Sequence, residues 1–359
     1  MDITRPLHSQ DIQSFLLWMP NWIGDVVLTL PVIQSLRRAY PVARIFVVAK
    51  SPSYELLLGH PAIDTVLILP SGPEIGFWQK VGFARSLKKY SLDVGAVFPN
   101  SFGSAFLLSL TGAKCRLGYN TDARDILLTH PVTTTTHLKK TQYRVEYYFK
   151  IFSSLKMDAP DHKFALLNAQ EGDRSIREVM LGMDLDEDEK FIALHPGTSK
   201  VERGWHAERF GILCQKLIKE DGMRLVLLGT EKESQLLNRI KNSSQAGAIK
   251  IIPPVNLRVL TGLLRKSRLF IGNDSGMMHL AAMVGIPVLG IFGPGSPATT
   301  GPYMAMEKQE LVTKNFSCSP CRQRFFKECQ PSPLNKPYCL EDITVKDVHE
   351  AVRRMLKRY

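Results

Sequence analysis

Long apolar stretches are missing from this sequence. No run approaches the ~20 residues a helix needs to cross a bilayer. The apolar run Phe15–Met19 is too short for the core of a secretory signal, and Asp2, Arg5 and Asp11 precede it. The expectation is therefore a protein kept in the cytoplasm and in contact with a membrane only at its surface. Acidic residues are also in short supply: 34 Asp and Glu stand against 46 Lys and Arg, a net charge of +12. That balance points to an anionic partner such as nucleic acid, acidic lipid or phosphorylated glycan. No helix-turn-helix or RNA-binding aromatic motif is present, so nucleic acid ranks last. No G-x-G-x-x-G fingerprint follows the first strand, which argues against a dinucleotide site there. Cysteines number only six; Cys115 and Cys214 are isolated in apolar contexts and read as core.

What is present is alternation. The chain's 359 residues suffice for about two domains. In the first half, apolar strand-like runs (Phe15–Trp18, Arg44–Ala49, Thr65–Leu69, Asp93–Phe98) alternate with helical spacing over Val26–Tyr40, Ser53–Gly59, Trp78–Tyr90, Ser101–Leu110 and Gln142–Leu155. The pattern loosens before the acidic stretch Asp184–Glu189, then restarts with strands at Phe191–His195, Arg224–Leu228, Ile249–Ile252, Leu269–Gly272 and Val288–Phe292. Such alternation implies α/β domains with parallel, doubly wound sheets. The boundaries expected are a first domain over 1–175, a linker over 176–190, a second domain over 191–340 and a C-terminal helix over 341–359. Ligands of such sheets bind beyond the carboxyl ends of the strands, so the loops there are the places to search.

Four such loops carry chemistry. Pro20-Asn21-Trp22-Ile23-Gly24-Asp25 follows the first strand, and Asp25 reads either as a helix N-cap or as a general base offered to a cleft. His195–Trp205 joins a strand to a helix with hydroxyls, glycines, Lys200 and Arg203, a composition suited to phosphate. Gly272-Asn273-Asp274-Ser275-Gly276 opens a helix that carries His279 in its first turn. There Asp274 can accept two sugar hydroxyls, and Gly276 lets a ligand approach the backbone. Phe292–Pro297 forms a rigid loop beside it, and Gly229–Glu233 occupies the matching place after another strand, where a carboxylate could bind ribose. Asp184-Leu185-Asp186 spells an Asp-x-Asp but lies in the acidic stretch rather than at a strand end. No catalytic metal is expected from it. Cys318-Ser319-Pro320-Cys321, with Cys329 and Cys339, reads either as a structural zinc site or as reduced, packed thiols.

Taken together, the motifs Pro20–Asp25, Phe98-Pro99-Asn100-Ser101-Phe102, Asn273–His279 and Phe292-Gly293-Pro294 resemble those of the heptosyltransferases of lipopolysaccharide core synthesis, glycosyltransferase family 9. The resemblance runs through nearly the whole chain. It implies a GT-B architecture of two Rossmann-like domains facing a cleft, an inverting mechanism, and an ADP-heptose donor with a lipid A–Kdo–heptose acceptor. It implies Asp25 as the base, Thr198 and Ser199 at the donor phosphates, Glu233 at ribose and Val255 against adenine. It further implies Asp274 at heptose hydroxyls, with Ser275, Gly276 and His279 near the diphosphate. Family members usually place Lys two residues before the Trp of the second loop; Arg203 stands there here, so Arg203 or Lys200 would stabilise the leaving phosphate. Arg116, Arg124, Lys139, Lys140 and Arg144 are the cations expected to meet the anionic acceptor. Rival readings are a GT-B enzyme or epimerase acting on another nucleotide sugar, and a non-enzymatic binder of anionic surfaces.

Overall fold

The structure is a computed structural model that describes residues 12–161, 173–244, 249–321 and 323–359. The chain divides into two compact units, Met1–Asn168 and Ala169–Tyr359.

The first unit is built on a parallel sheet of β1 (Ser14–Trp18), β2 (Arg44–Ala49), β3 (Thr65–Ile68), β4 (Val94–Val97), β5 (Cys115–Tyr119) and β6 (His130–Val132), in the order β3-β2-β1-β4-β5-β6. Every residue of β1 is buried, because helices cover both faces of a parallel sheet and leave no polar side to alternate with. The second unit repeats the plan with β7 (Ile192–His195), β8 (Leu225–Leu227), β9 (Ile249–Ile251), β10 (Leu269–Asn273), β11 (Val288–Ile291) and β12 (Gln309–Val312), in the order β12-β11-β10-β7-β8-β9. In each sheet the chain first winds outward in one direction, returns to the middle, and winds outward in the other. The loops after β1 and β4, and those after β7 and β10, therefore part from each other at a switch point, where doubly wound folds bind ligands.

Strands β5, β6 and β12 escape the apolar pattern, whereas it marks the other two edges, β3 and β9. β6 contains Pro131, which cannot donate to a ladder and is tolerated because β6 is an edge. β12 is only half-buried along its length. Gln142–Leu155, read as one helix, is a short helix Arg144–Phe149 continued by a 3-10 turn over Lys150–Phe152.

The segment read as a linker over 176–190 is structured: helix Asp173–Gly182 buries Ile176 and Met180, and Met183 and Leu185 follow it into the interior of the second unit. Its acidic surface masked this apolar stripe. The C-terminal helix, Val345–Arg358, is likewise no appendage. Val348, Ala351, Val352 and Met355 enter the second unit's core beside Phe210, Leu213 and Leu217. His349 and Arg353 grip Asp221 at 2.6 and 2.8 Å. Among the described residues no helix is long and apolar enough to cross a membrane.

Met355→Ala removes a side chain that is 1% exposed. It should cost about 2–5 kcal/mol of stability, as for a core methionine, in urea unfolding of the full chain; a loss below about 1 kcal/mol would mean the helix is peripheral.

Candidate active site

In the first unit the loop after β1 leads directly into helix Ile23–Ala39. Its N-cap is Trp22, which makes no side-chain capping bond, and Asp25 is the third helical residue. Asp25 is thus not the N-cap residue. Its Oδ1 accepts a 2.8 Å hydrogen bond from the Tyr148 hydroxyl, and Arg144 Nε lies 4.0 Å from the same oxygen. About a third of the Asp25 side chain is exposed (32%), so it can meet a ligand. The Arg144 guanidinium also rests over the Tyr147 ring, 5.5 Å from its centre. Tyr147 in turn stacks on Tyr119 and accepts a 2.8 Å bond from Asn100 Nδ2 in the loop after β4. Tyr147 and Tyr148 carry no motif in the sequence; packing of helices brings Tyr148 to Asp25 from 123 positions away, and Arg144, expected as an acceptor cation, arrives with it.

Two of the expected acceptor cations are structural. Arg124 is fully buried: its Nε donates to Tyr119 O at 2.7 Å, and its other nitrogens donate to the carbonyl of Pro99 and to Asn100 Oδ1. It ties the loop after β4 to the end of β5 and has nothing left for an acceptor. Arg116 donates to Leu127 O at 2.8 Å and Ala113 O at 3.0 Å. Its register opposite Gly95, near the start of β4, places it away from the carboxyl edge. Unsatisfied loop carbonyls drew both guanidiniums inward, which a lone Arg in a sequence does not reveal. The side chains of Lys139 and Lys140 lie outside the described residues.

In the second unit Asn273, at the end of β10, is fully buried. It donates to Pro196 O at 2.7 Å and accepts from the Trp205 N–H at 3.0 Å, which locks the loop after β7 to the loop after β10. On that frame Arg203 reaches Asp274: its Nη2 lies 2.6 Å from Oδ2 and 3.0 Å from the Asp274 carbonyl. Arg203 thus engages a carboxylate through Nη2, while its Nε has no partner among the described residues. Burial raises the Asp274 carboxyl above its ordinary range, and Arg203 opposes that rise. Lys200 is exposed, with its ammonium 5.8 Å from the centre of the Phe325 ring, and has no carboxylate in ion-pair reach among the described residues. With Glu202, Arg324, Phe325 and Lys327 it lines a pocket of about 530 Å³.

Around this pair the remaining residues fall into place. Thr198 donates to Lys200 O at 2.5 Å and shapes the loop, and Ser199 is exposed. Glu233 caps its own turn, accepting from the Thr230 N–H and hydroxyl at 2.7 and 2.9 Å, while Oε1 sits 3.9 Å from His195 Nε2. Burial lowers His195 to about 4, so that contact is to a neutral imidazole despite the nearby carboxylate. Ser275 approaches His195 Nδ1 at 3.3 Å, and Gly276 begins helix Gly276–Met283. His279, one turn in, is buried, and its Nδ1 has no partner among the described residues. Val255 is half-buried just before the Asn256 cap of helix Leu257–Lys266. A methyl group on Gly197 would push the Glu233 carboxylate aside, and one on Gly295 would push the Asp274 carboxylate aside.

Asp184 of the Asp-x-Asp follows a helix and pairs with Lys250 at 2.6 Å. The four late cysteines are drawn toward one another. Cys321 N–H bonds Pro294 O, Ser319 donates to Gly293 O and Gly295 O, and an antiparallel bridge pairs Pro331 with Pro337 between Cys329 and Cys339. Burial first, and then Cys321, Cys318 and Cys329, push the Cys339 thiol up to about 12. Among the described residues no three His, Cys, Asp or Glu side chains stand in a metal-ligating arrangement.

His195 and His279 are both held near 4 by burial, against 6.5 unfolded. Between these values the unfolded chain binds more protons, so stability falls as pH drops from 6.5 to 4, by up to about 1.4 kcal/mol per pH unit for each His. Asp274 opposes this only where its own carboxyl protonates. His279→Asn should flatten the decline in urea midpoint over that window; an unchanged slope would show that His279 is not buried neutral.

The chain matches the family model of Glycosyltransferase family 9 (heptosyltransferase) over residues 81–330. It is 28% identical over 295 residues to lipopolysaccharide heptosyltransferase 2 of Escherichia coli, covering 79% of this chain and 83% of that one. It is 26% identical over 308 residues to lipooligosaccharide heptosyltransferase 2 of Haemophilus ducreyi, covering 82% and 86%. The solved structure of the E. coli ADP-heptose lps heptosyltransferase II superposes with a TM-score of 0.77 at 21% identity, covering 96% of this chain and 99% of that one. That superposition gives the fold as GT-B, and the family match spans more than half of the chain: the chain belongs to glycosyltransferase family 9, the heptosyltransferases.

Proposed function

We propose that this chain transfers L-glycero-D-manno-heptose from ADP-heptose to the heptosylated Kdo–lipid A inner core of lipopolysaccharide, the second heptose addition. The observation that carries the reading is the placement, in a family 9 chain, of a partly exposed carboxylate at the switch point of the first sheet (Asp25) and of Asp274-Ser275-Gly276 at that of the second. The names of the E. coli and H. ducreyi relatives support the second-transferase subtype. The net charge of +12 suits an acceptor bearing phosphates and carboxylates at an anionic cytoplasmic membrane face.

The acceptor hydroxyl attacks the anomeric carbon of heptose and passes its proton to Asp25, while the bond from that carbon to the diphosphate oxygen breaks and ADP leaves. A positioned base is worth ~10²–10⁴-fold. The new charge on ADP is met by Lys200, by the Ser275–Gly276 N–H groups and by the dipole of helix Gly276–Met283, which take the place of a catalytic metal. Arg203 holds Asp274 so that its free edge meets heptose hydroxyls. Thr198 and Ser199 meet the phosphates, Glu233 the ribose, Val255 the adenine, and His279 lies near the diphosphate. Arg144 meets the acceptor beside Asp25. Zinc at Cys318, Cys321, Cys329 and Cys339 is proposed as structural; it would join Cys321, whose N–H is tied to the Pro294 carbonyl after β11, to the other three thiols.

Asp25→Asn should cut heptose transfer by ~10²–10⁴-fold in a mass-spectrometric assay with ADP-heptose and mono-heptosylated Kdo–lipid A, while ADP binding is kept. Near-normal turnover would remove Asp25 from the role, and a heptose gain on unheptosylated acceptor instead would move the enzyme to the first addition. Metal analysis should find one zinc per chain, lost in Cys339→Ser, and a chelator should leave turnover of the wild-type chain intact. A metal-free active preparation would assign the thiols to packing alone, and chelator-sensitive turnover would overturn metal independence.

A further inference from the structure

Helix Arg144–Phe149 presents Arg144 and Tyr148, four residues apart and so on one face, to the same oxygen of Asp25. The two contacts differ in kind. The Tyr148 hydroxyl is 2.8 Å from Oδ1, a full hydrogen bond, whereas Arg144 Nε stands at 4.0 Å. The Tyr148 ring is buried at 5% exposure and packed edge-on against Phe98, the residue that follows β4, with ring centres 5.4 Å apart. It has little freedom to swing away. Burial and the Asp25 charge both push its phenol well above the ordinary tyrosine range, so the hydroxyl keeps its proton and acts as the donor. Asp25 Oδ2 takes no protein hydrogen bond among the described residues.

We infer that Tyr148 is the positioning residue of the base: it pins Oδ1 and thereby turns Oδ2 toward the acceptor hydroxyl. This rests on the reading of Asp25 as the base. Tyr148 touches no reacting atom; it acts through Asp25. Its bond is donated to a carboxylate oxygen, and a bond of that kind favours the ionised form of its acceptor. Arg144 bears on the same oxygen from 4.0 Å.

The test is the pH dependence of kcat in the full chain with ADP-heptose and mono-heptosylated Kdo–lipid A. Tyr148→Phe keeps the ring and removes the donor. On the acid limb its kcat should fall roughly tenfold, the scale of a hydrogen bond to a charged group. The acid limb should move to higher pH, with kcat recovering as pH rises and donor KM within about twofold of wild type. A drop equal at every pH with an unmoved limb would show that the hydroxyl serves packing only, and an unchanged kcat would likewise overturn the inference. 3-Fluorotyrosine at position 148 keeps the fold and strengthens the donor, so its limb should move the other way; no movement in either variant sinks the proposal. Asp25→Asn run alongside separates the two readings. Full turnover there removes the base itself, whereas a dead Asp25→Asn with an unmoved limb in Tyr148→Phe removes only the role of Tyr148.

Discussion

A strand buried on both faces must satisfy its backbone N–H and C=O groups along its two neighbours, and in a parallel sheet every return crosses over a face through a helix. That constraint shapes both units. It makes β1 and β10 wholly buried, it fixes the winding order, and it forces the central loops to part at the carboxyl edge. Everything with chemical potential in this chain hangs from those partings: Asp25 and Asn100 in the first unit, and the loops after β7 and β10 in the second.

Within the second unit one amide carries much of the arrangement. Asn273 is buried and bonds both the Pro196 carbonyl and the Trp205 N–H, so two loops far apart in sequence become one rigid frame. Trp205 extends the frame to the C-terminal segment by donating to Ile343 O at 2.9 Å. Arg203, two residues before Trp205, is thereby delivered to Asp274. A carboxylate at 7% exposure would tend to take up a proton, and the guanidinium 2.6 Å away works against that. Both bonds from Arg203 to Asp274, to Oδ2 and to the backbone carbonyl, are donated by the single nitrogen Nη2.

In the first unit the corresponding frame is aromatic. Tyr119, Tyr147, Tyr148 and Phe98 pack as successive ring contacts beneath the loops after β1 and β4. Arg124 threads between them to satisfy the loop carbonyls. A positive charge spent on backbone oxygens is a positioning device, and it keeps Asn100 against the Tyr147 hydroxyl.

The division between what was legible and what was not follows from range. Apolar runs, helical spacing and glycine-rich strand ends are local, so every strand but β5, β6 and β12, and the loops bearing Asp25, Lys200, Asp274 and His279, could be read from the sequence. The charged surface of helix Asp173–Gly182, the acidic run after it and the half-polar edges β6 and β12 blurred that local pattern, because such elements bury only a stripe or one face. Side-chain partnership is not local. Whether Asp25 caps a helix or faces a tyrosine, whether Arg203 meets phosphate or Asp274, and whether Arg124 is on the surface or within were all decided by residues 71 to 123 positions away, or by carbonyls left open at loop ends. The sequence alone determined which residues could do chemistry and on which strand ends they would stand; only the folded sheets decided which of them are held by a partner and which are left free to act, because hydrogen-bond demand at a loop end is set by what packs there.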